Sequence, residues 1–238
     1  MWIFENQNWP NFTWNEKVIS HALADIRYHQ GLLLGKMENI GFELKQEASL
    51  KTLTDDVIKS TAIEGENLNR EEVRSSIARR LGLDISGLIP SNRHVEGVVE
   101  MMLDATQKFS KPLKKERLFN WHAALFPTAR SGMNRIIVGD WRTPDTDPMR
   151  VVSGPIGREK IHFEAIKADK IESEIQIFLS WFEKQGDIDP VLKAGIAHLW
   201  FLTIHPFEDG NGRIGRAILD MALARADRTS HRFYSLSV

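Results

Sequence analysis

The chain of 238 residues contains no cysteine, so neither a disulfide framework nor a thiolate metal site can be built from it. Charge excess is missing as well. Against 32 acidic side chains stand 31 basic ones, a formal net charge of −1, which removes the bulk electrostatic case for a nucleic-acid partner. Long apolar runs are scarce: Leu32-Leu33-Leu34 is far too short to span a bilayer, so no membrane partner is expected. Glu5 comes early and no apolar signal core follows it, which makes a cytoplasmic location the default expectation. Internal repeats and low-complexity segments are absent. What remains is ordinary for a globular protein: 42% hydrophobic residues, and length enough for one large domain or two small ones.

The chemistry concentrates in one stretch, His205-Pro206-Phe207-Glu208-Asp209-Gly210-Asn211-Gly212-Arg213-Ile214-Gly215-Arg216. Apolar periodic segments flank it, which predicts helix, loop, helix. Pro206 biases His205 towards an extended backbone and is expected to end the first helix there. A histidine titrates near neutrality and can take a proton from a hydroxyl. Gly210 and Gly212 allow positive φ, and with Asn211 between them the backbone N–H groups can turn inward as an anion nest. A helix predicted from about Arg213 would aim its N-terminal dipole at the same place. Arg213 and Arg216 share a face of that helix, and two guanidinium forks beside a nest suit a polyphosphate. Asp209 at the nest's edge suits Mg²⁺ held against phosphate oxygens. The stretch is not a Walker A loop, because no Lys-Ser/Thr follows the glycines and a helix precedes them. A polar inter-helix loop would explain a lone Gly-x-Gly. It does not explain this set of residue types.

A second informative stretch begins at Thr54. Thr54 reads as an N-cap with Asp55 and Asp56 in the first turn, and Gly65 reads as the stop, giving a helix over about 54–65. Glu64 then lies at the negative end of the helix dipole, where a carboxylate needs a cation from elsewhere in the fold.

The stretch at 205–216 matches, position for position, His-x-Phe-x-Asp/Glu-Gly-Asn-Gly-Arg-x-x-Arg, and on it the chain resembles the Fic-domain family. The resemblance implies transfer of AMP from ATP to a Ser, Thr or Tyr hydroxyl of a protein, with ATP as substrate and Mg²⁺ as cofactor. It implies His205 as catalytic base, Gly210, Asn211, Gly212 and Arg213 on the α- and β-phosphates, Arg216 on the γ-phosphate and Asp209 on the metal. Ser60-Thr61-Ala62-Ile63-Glu64-Gly65 is similar to the Ser/Thr-x-x-x-Glu-Gly/Asn motif of the family's inhibitory helix. There the glutamate pairs with the second signature arginine, so Glu64 and Ser60 are expected to face Arg216 and keep the enzyme silent. Rival expectations are removal of AMP from a modified protein with Glu64 orienting water, a donor other than ATP, and a nucleotide-binding regulatory module without turnover. The protein substrate is unnamed, with the chain itself among the candidates, and oligomerisation is left open.

Elsewhere the chain reads as follows. Trp2, Phe4, Trp9, Phe12 and Trp14 crowd residues 1–14 and are expected to pack onto the following helices. Residues 15–48 have helical spacing, interrupted by Gly31, Gly35 and Gly41. Asn69 and Glu72 resemble a capping box, and Val73, Ile77 and Leu81 give a buried stripe. Gly82, Gly87 and Pro90 suggest a boundary between an N-terminal helical domain (1–88) and a core (89–238). Residues 92–109 and 113–126 are helical, with His94 and His122 in structural roles. Residues 128–165 lose the helical period. Met149–Ser153 and Lys160–Phe163 are β-prone around Gly154, Pro155 and Gly157, which predicts a hairpin whose free edge can take an extended peptide. Trp141 and Arg142 are expected to anchor its base or to face the site. The resemblance implies that this hairpin (about 149–163) is the flap, with Met149, Arg150, Val151, Val152 and Ser153 docking the target. Amphipathic helices carry the chain from Ile171 to Phe182 and from Leu192 to His205. Family members carry further helices beyond the signature, so part of the adenine pocket is expected to come from outside this chain. The expected fold is all-α: a Fic-like helical core with one β-hairpin flap, preceded by an N-terminal helical domain.

Overall fold

The computed structural model describes residues 1–155, 158–186 and 188–235. Gly157, expected in the hairpin loop, lies outside them. Among the described residues the chain forms α1 (Glu16–Glu38), α2 (Phe42–Ile63), α3 (Arg70–Leu81), α4 (Arg93–Gln107), α5 (Lys115–Leu125), β1 (Arg130–Ser131), β2 (Asn134–Arg135), β3 (Arg150–Ser153), β4 (Lys160–Glu164), α6 (Ile171–Glu183), α7 (Pro190–Ile204) and α8 (Asn211–Asp227). The fold is all-α, as expected, with β3 and β4 paired antiparallel as the hairpin. The two-residue pair β1/β2 was not anticipated. Among the described residues no helix is long and apolar enough to cross a membrane.

The helix expected over 15–48 is two helices, broken at residues 39–41, with Asn15 capping the first through its side-chain oxygen. The expected start at Thr54 is also corrected. Thr54 lies inside α2, buried, with its hydroxyl donating to the Leu50 carbonyl at 2.7 Å. A threonine can satisfy itself this way in a helix interior, so the capping signal was spurious. Asp56 is therefore buried in mid-helix rather than exposed in a first turn. It faces Asp220 of α8 and Arg232 of the C-terminal segment, and burial and the Asp220 charge push its carboxyl up to about 7. Arg232, itself buried, donates to Asp220 at 3.0 Å.

Gly65 does end α2. With φ of 81° it lets its own N–H reach Ala62 and the Glu66 N–H reach Thr61, the paired bonds that close a left-handed helix stop. Asn69 caps α3 by accepting from the N–H groups of Glu71 and Glu72. The Glu72 carboxylate does not return to Asn69 to complete the box. It takes the backbone and side-chain N–H groups of Asn92 at 3.0 and 2.8 Å, tying α3 to the start of α4.

One hydrophobic core runs from Leu53 and Val57 of α2 through Val73, Val99 and Leu118 to Phe178, Phe201 and Ile218. Each such side chain contributes about 1.5–3 kcal/mol on burial. Gly97 lets α4 approach α5 closely, since a Cβ there would meet the Ala124 carbonyl oxygen at 1.8 Å. The N-terminal rings Phe4, Trp9, Phe12 and Trp14 are half-buried against the core. Trp9 and Phe12 sit on a helix, as expected, at Trp200 of α7, whereas Trp2 and Phe4 sit on Phe163 of β4.

Candidate active site

His205 is the residue at which α7 stops. Its backbone is left-handed (φ 51°, ψ 61°), not extended as Pro206 suggested. The tight turn is imposed by tertiary contacts. The guanidinium of the buried Arg142 donates from Nε to the His205 carbonyl at 2.8 Å, and its backbone N–H donates to the Pro206 carbonyl at 2.9 Å. The same guanidinium pairs with Asp147 and donates to the Ile166 carbonyl. Arg142 thus anchors the hairpin base, one of its two expected roles, while fixing the histidine. His205 Nδ1 lies 3.3 Å from the Leu202 carbonyl. A proton on Nδ1 donated to that carbonyl leaves the lone pair on Nε2. Burial holds the imidazole pKa below the usual histidine value, and the charge of Arg142 adds to this against the Leu202 carbonyl, Glu64 and Asp209. A neutral ring with a free Nε2 is the form a proton acceptor requires.

The loop after His205 is braced from within. Phe207 stacks on His122, centroids 4.1 Å apart, and burial pushes that histidine down to about 4. Asn211 Oδ1 accepts from the Phe207 N–H at 3.0 Å and its Nδ2 donates to the Phe207 carbonyl at 2.8 Å. The Asn211 side chain therefore holds the loop, and what it leaves to face the cavity is its backbone N–H. Helix α8 starts at Asn211, two residues earlier than expected, behind Gly210 with φ of 79° and with no side-chain cap. Gly210 alone of the two expected glycines is left-handed, and Gly212 is helical. The nest is thus one left-handed residue plus the uncapped N–H groups of a helix start, a ready site for anions. Gly212 lacks a side chain for a different reason: a Cβ there would meet Glu64 Oε1 at 1.9 Å.

Residues far apart in the chain meet at this helix start. Arg216 Nη2 donates to Glu64 Oε1 at 2.5 Å and to the Ser60 carbonyl at 2.8 Å, while its Nε donates to Ser60 Oγ at 2.7 Å. Arg213 is buried, lies over the Phe126 ring, and donates to Glu66 Oε2 at 3.0 Å. Glu66 was not singled out from sequence, and its second partner, His94 Nε2 at 2.8 Å, was read only as structural. The available signal was a second acid two residues past Glu64, across the glycine turn. Asp209 accepts from the Gly210 N–H at 2.5 Å and from Ser131 Oγ, another residue not foreseen.

His205, Glu64, Asp209 and Gly212 line a cavity of about 120 Å³, closed from the hairpin side by Met149, Arg150 and Val151. Of the five residues expected to dock a target, Val152 and Ser153 stand outside its lining, and Ser153 Oγ pairs with His162 Nε2 at 2.5 Å. Among the described residues no group of three or more His, Asp or Glu stands at metal-binding spacing. Asp209 alone still fits Mg²⁺, which characteristically takes one or two carboxylates and completes its shell with phosphate oxygens and water.

Residues 112–223 match the family model described as Fic/DOC family, and residues 2–83 match a domain of unknown function, DUF4172. Protein adenylyltransferase fic-1 of Caenorhabditis elegans is 24% identical over 173 residues, 71% of this chain and 31% of that protein. The chain thus spans about a third of the length of the curated relatives it matches. Two solved structures share the fold. A Fic domain containing signaling protein from Bacteroides thetaiotaomicron superposes with a TM-score of 0.62 at 20% identity, covering 83% of this chain and 72% of that one. A Fic family protein from Desulfovibrio desulfuricans G20 gives 0.58 at 22% identity, covering 91% and 60%. The matched residues include the histidine, the uncapped helix start and both arginines, and over 112–223 this chain is a Fic/DOC-family domain.

Proposed function

We propose that this chain transfers AMP from ATP to a protein hydroxyl and is held nearly silent by Glu64. One observation carries the reading: His205, the uncapped start of α8 and Glu64, the partner of Arg216, line one cavity. The backbone N–H groups of Asn211 and Gly212, with Arg213, hold the α- and β-phosphates. Arg216, once released from Glu64, takes the γ-phosphate. A target hydroxyl lies along the hairpin. Its oxygen attacks the α-phosphorus as the proton passes to His205 Nε2, and the bond to the β-phosphate oxygen breaks, releasing pyrophosphate. Asp209 would hold Mg²⁺, which when bound offsets phosphate charge.

The size of the cavity supports autoinhibition. About 120 Å³ is well short of the roughly 300–1,000 Å³ of ordinary ligand sites, and the Glu64 carboxylate fills the space beside Gly212. Labelled ATP with wild type, Glu64→Gly and His205→Ala tests the reading. Label is expected on Glu64→Gly, little on wild type and none on His205→Ala. A Glu64→Gly protein that labels no better than wild type ends the autoinhibition claim. Glu64 also lines the cavity that His205 lines, which favours a second reading, removal of AMP with Glu64 orienting water. Incubating wild type with an AMP-modified protein separates the two.

A further inference from the structure

The hairpin hangs over the site with little of its own to hold it there. Strand β3 is exposed along its whole length. An isolated two-stranded hairpin is marginal in water, so its angle over His205 must be set from outside. Its root is fixed through Arg142 and Asp147. Its shaft is touched at Phe163 of β4 by the rings of Trp2 and Phe4 at 5.9 and 6.5 Å, both edge-on. Phe163 pairs with Val151 across the ladder, and the register slips at that point, since Val151 faces Phe163 while Val152 faces Ile161. A slip of this kind bends a hairpin. Phe163 and Val151 both line the cavity.

The other end of the N-terminal segment is seated on the core. Trp9 and Phe12 lie on Trp200 at 5.8 and 5.6 Å, and Trp9 Nε1 donates to Glu174 Oε2 at 3.0 Å. Trp200 is buried on α7, the helix that delivers His205. One short segment therefore joins the helix that carries the base to the strand pair that would carry the hydroxyl.

We propose that residues 2–12 are a brace that sets the distance between the hairpin and His205, with Trp2 and Phe4 as positioning residues for the acceptor hydroxyl. The brace gives a role to part of the segment matched only to a domain of unknown function. Its consequence for transfer rests on the function proposed above; its consequence for the hairpin does not.

The test uses the full chain with Glu64→Gly, alone and combined with Trp2→Ala/Phe4→Ala, with the ring-keeping pair Trp2→Phe/Phe4→Tyr, and with Ile3→Ala, an exposed neighbour, as control. Amide exchange of β3 and β4 should speed up at least about fivefold in the alanine pair while α7 is unchanged. Transfer from labelled ATP to the chain's own hydroxyls should fall about tenfold or more in kcat, since small misplacements of reacting groups are costly. KM for ATP should stay within about twofold, because only the acceptor side is displaced. The ring-keeping pair and Ile3→Ala should match the parent. Unchanged exchange in β3 and β4 overturns the brace, and so does a KM for ATP that rises in step with the lost rate. Where the alanine pair does not fold, Trp2→Ala alone carries the same expectations. A Glu64→Gly parent that transfers nothing sinks the function proposed above and leaves exchange to judge the brace.

Discussion

The signature loop and the hairpin above it meet at one cavity but are built in opposite ways. The loop is mostly buried and braced from both inside and outside: Asn211 clasps Phe207 four residues away, Arg142 fixes the turn at His205, and Arg213 and Arg216 rise from the same helix start. The hairpin is rooted by Arg142 and Asp147, its strand β3 is exposed, and its shaft meets rings some 160 positions away in the chain. Phosphate binding and proton removal need groups fixed to a fraction of an ångström, and buried packing supplies that. An open strand edge of the kind the proposed docking uses has to be steadied by outside contacts.

The strongest way to break this comparison is at the loop. His205→Ala in the Glu64→Gly background should lose about 10²–10⁴-fold in transfer rate, the usual worth of a positioned base, with ATP binding kept. Glu64→Gly against wild type should gain about 10–100-fold, the worth of one charge-assisted bond released from Arg216, read from labelled ATP. Asn211→Ala should cost about 3 kcal/mol in chemical denaturation, because it leaves the buried Phe207 N–H and carbonyl without their partner. A comparable change on the exposed hairpin, Val152→Thr, should stay within about 0.5 kcal/mol.

A smaller effect sharpens the contrast through pH. The Asp56 carboxyl is raised to about 7, so its share of stability is complete below the ordinary aspartate value and is lost as pH climbs through 7. His122 is lowered to about 4, so its share is complete above the ordinary histidine value and is lost as pH falls through 4. The two slopes oppose each other across the same window. Asp56→Asn should therefore become steadily more stable than wild type from pH 5 to 7.5, by about 1–2 kcal/mol, in denaturant melts. A pH-independent difference would contradict the burial of Asp56 between α2, α8 and Arg232.

Much of the loop could be read in advance because its partners are close in sequence. The helix stop at Gly65 and the hairpin were legible for the same reason. Thr54 shows where local reading fails, since a threonine that caps a helix and one that bonds back to Leu50 look alike in sequence. Of the N-terminal rings, Trp9 and Phe12 lie on a helix as expected, whereas Trp2 and Phe4 lie on the hairpin, because ring packing has no sequence period to follow. Glu66, His94 and Ser131 carried no spacing signal, as they come from the turn after α2, the start of α4 and β1.

The order of residues from His205 to Arg216 determined, by itself, a helix end, a left-handed glycine turn and a helix start with two arginines on one face, since backbone sterics and helical period act over a few residues. Only the tertiary structure decided which acid meets which arginine, which guanidinium fixes the turn at the histidine and which rings steady the hairpin. Those contacts depend on how the helices pack, and packing is a property of the whole chain rather than of any window within it.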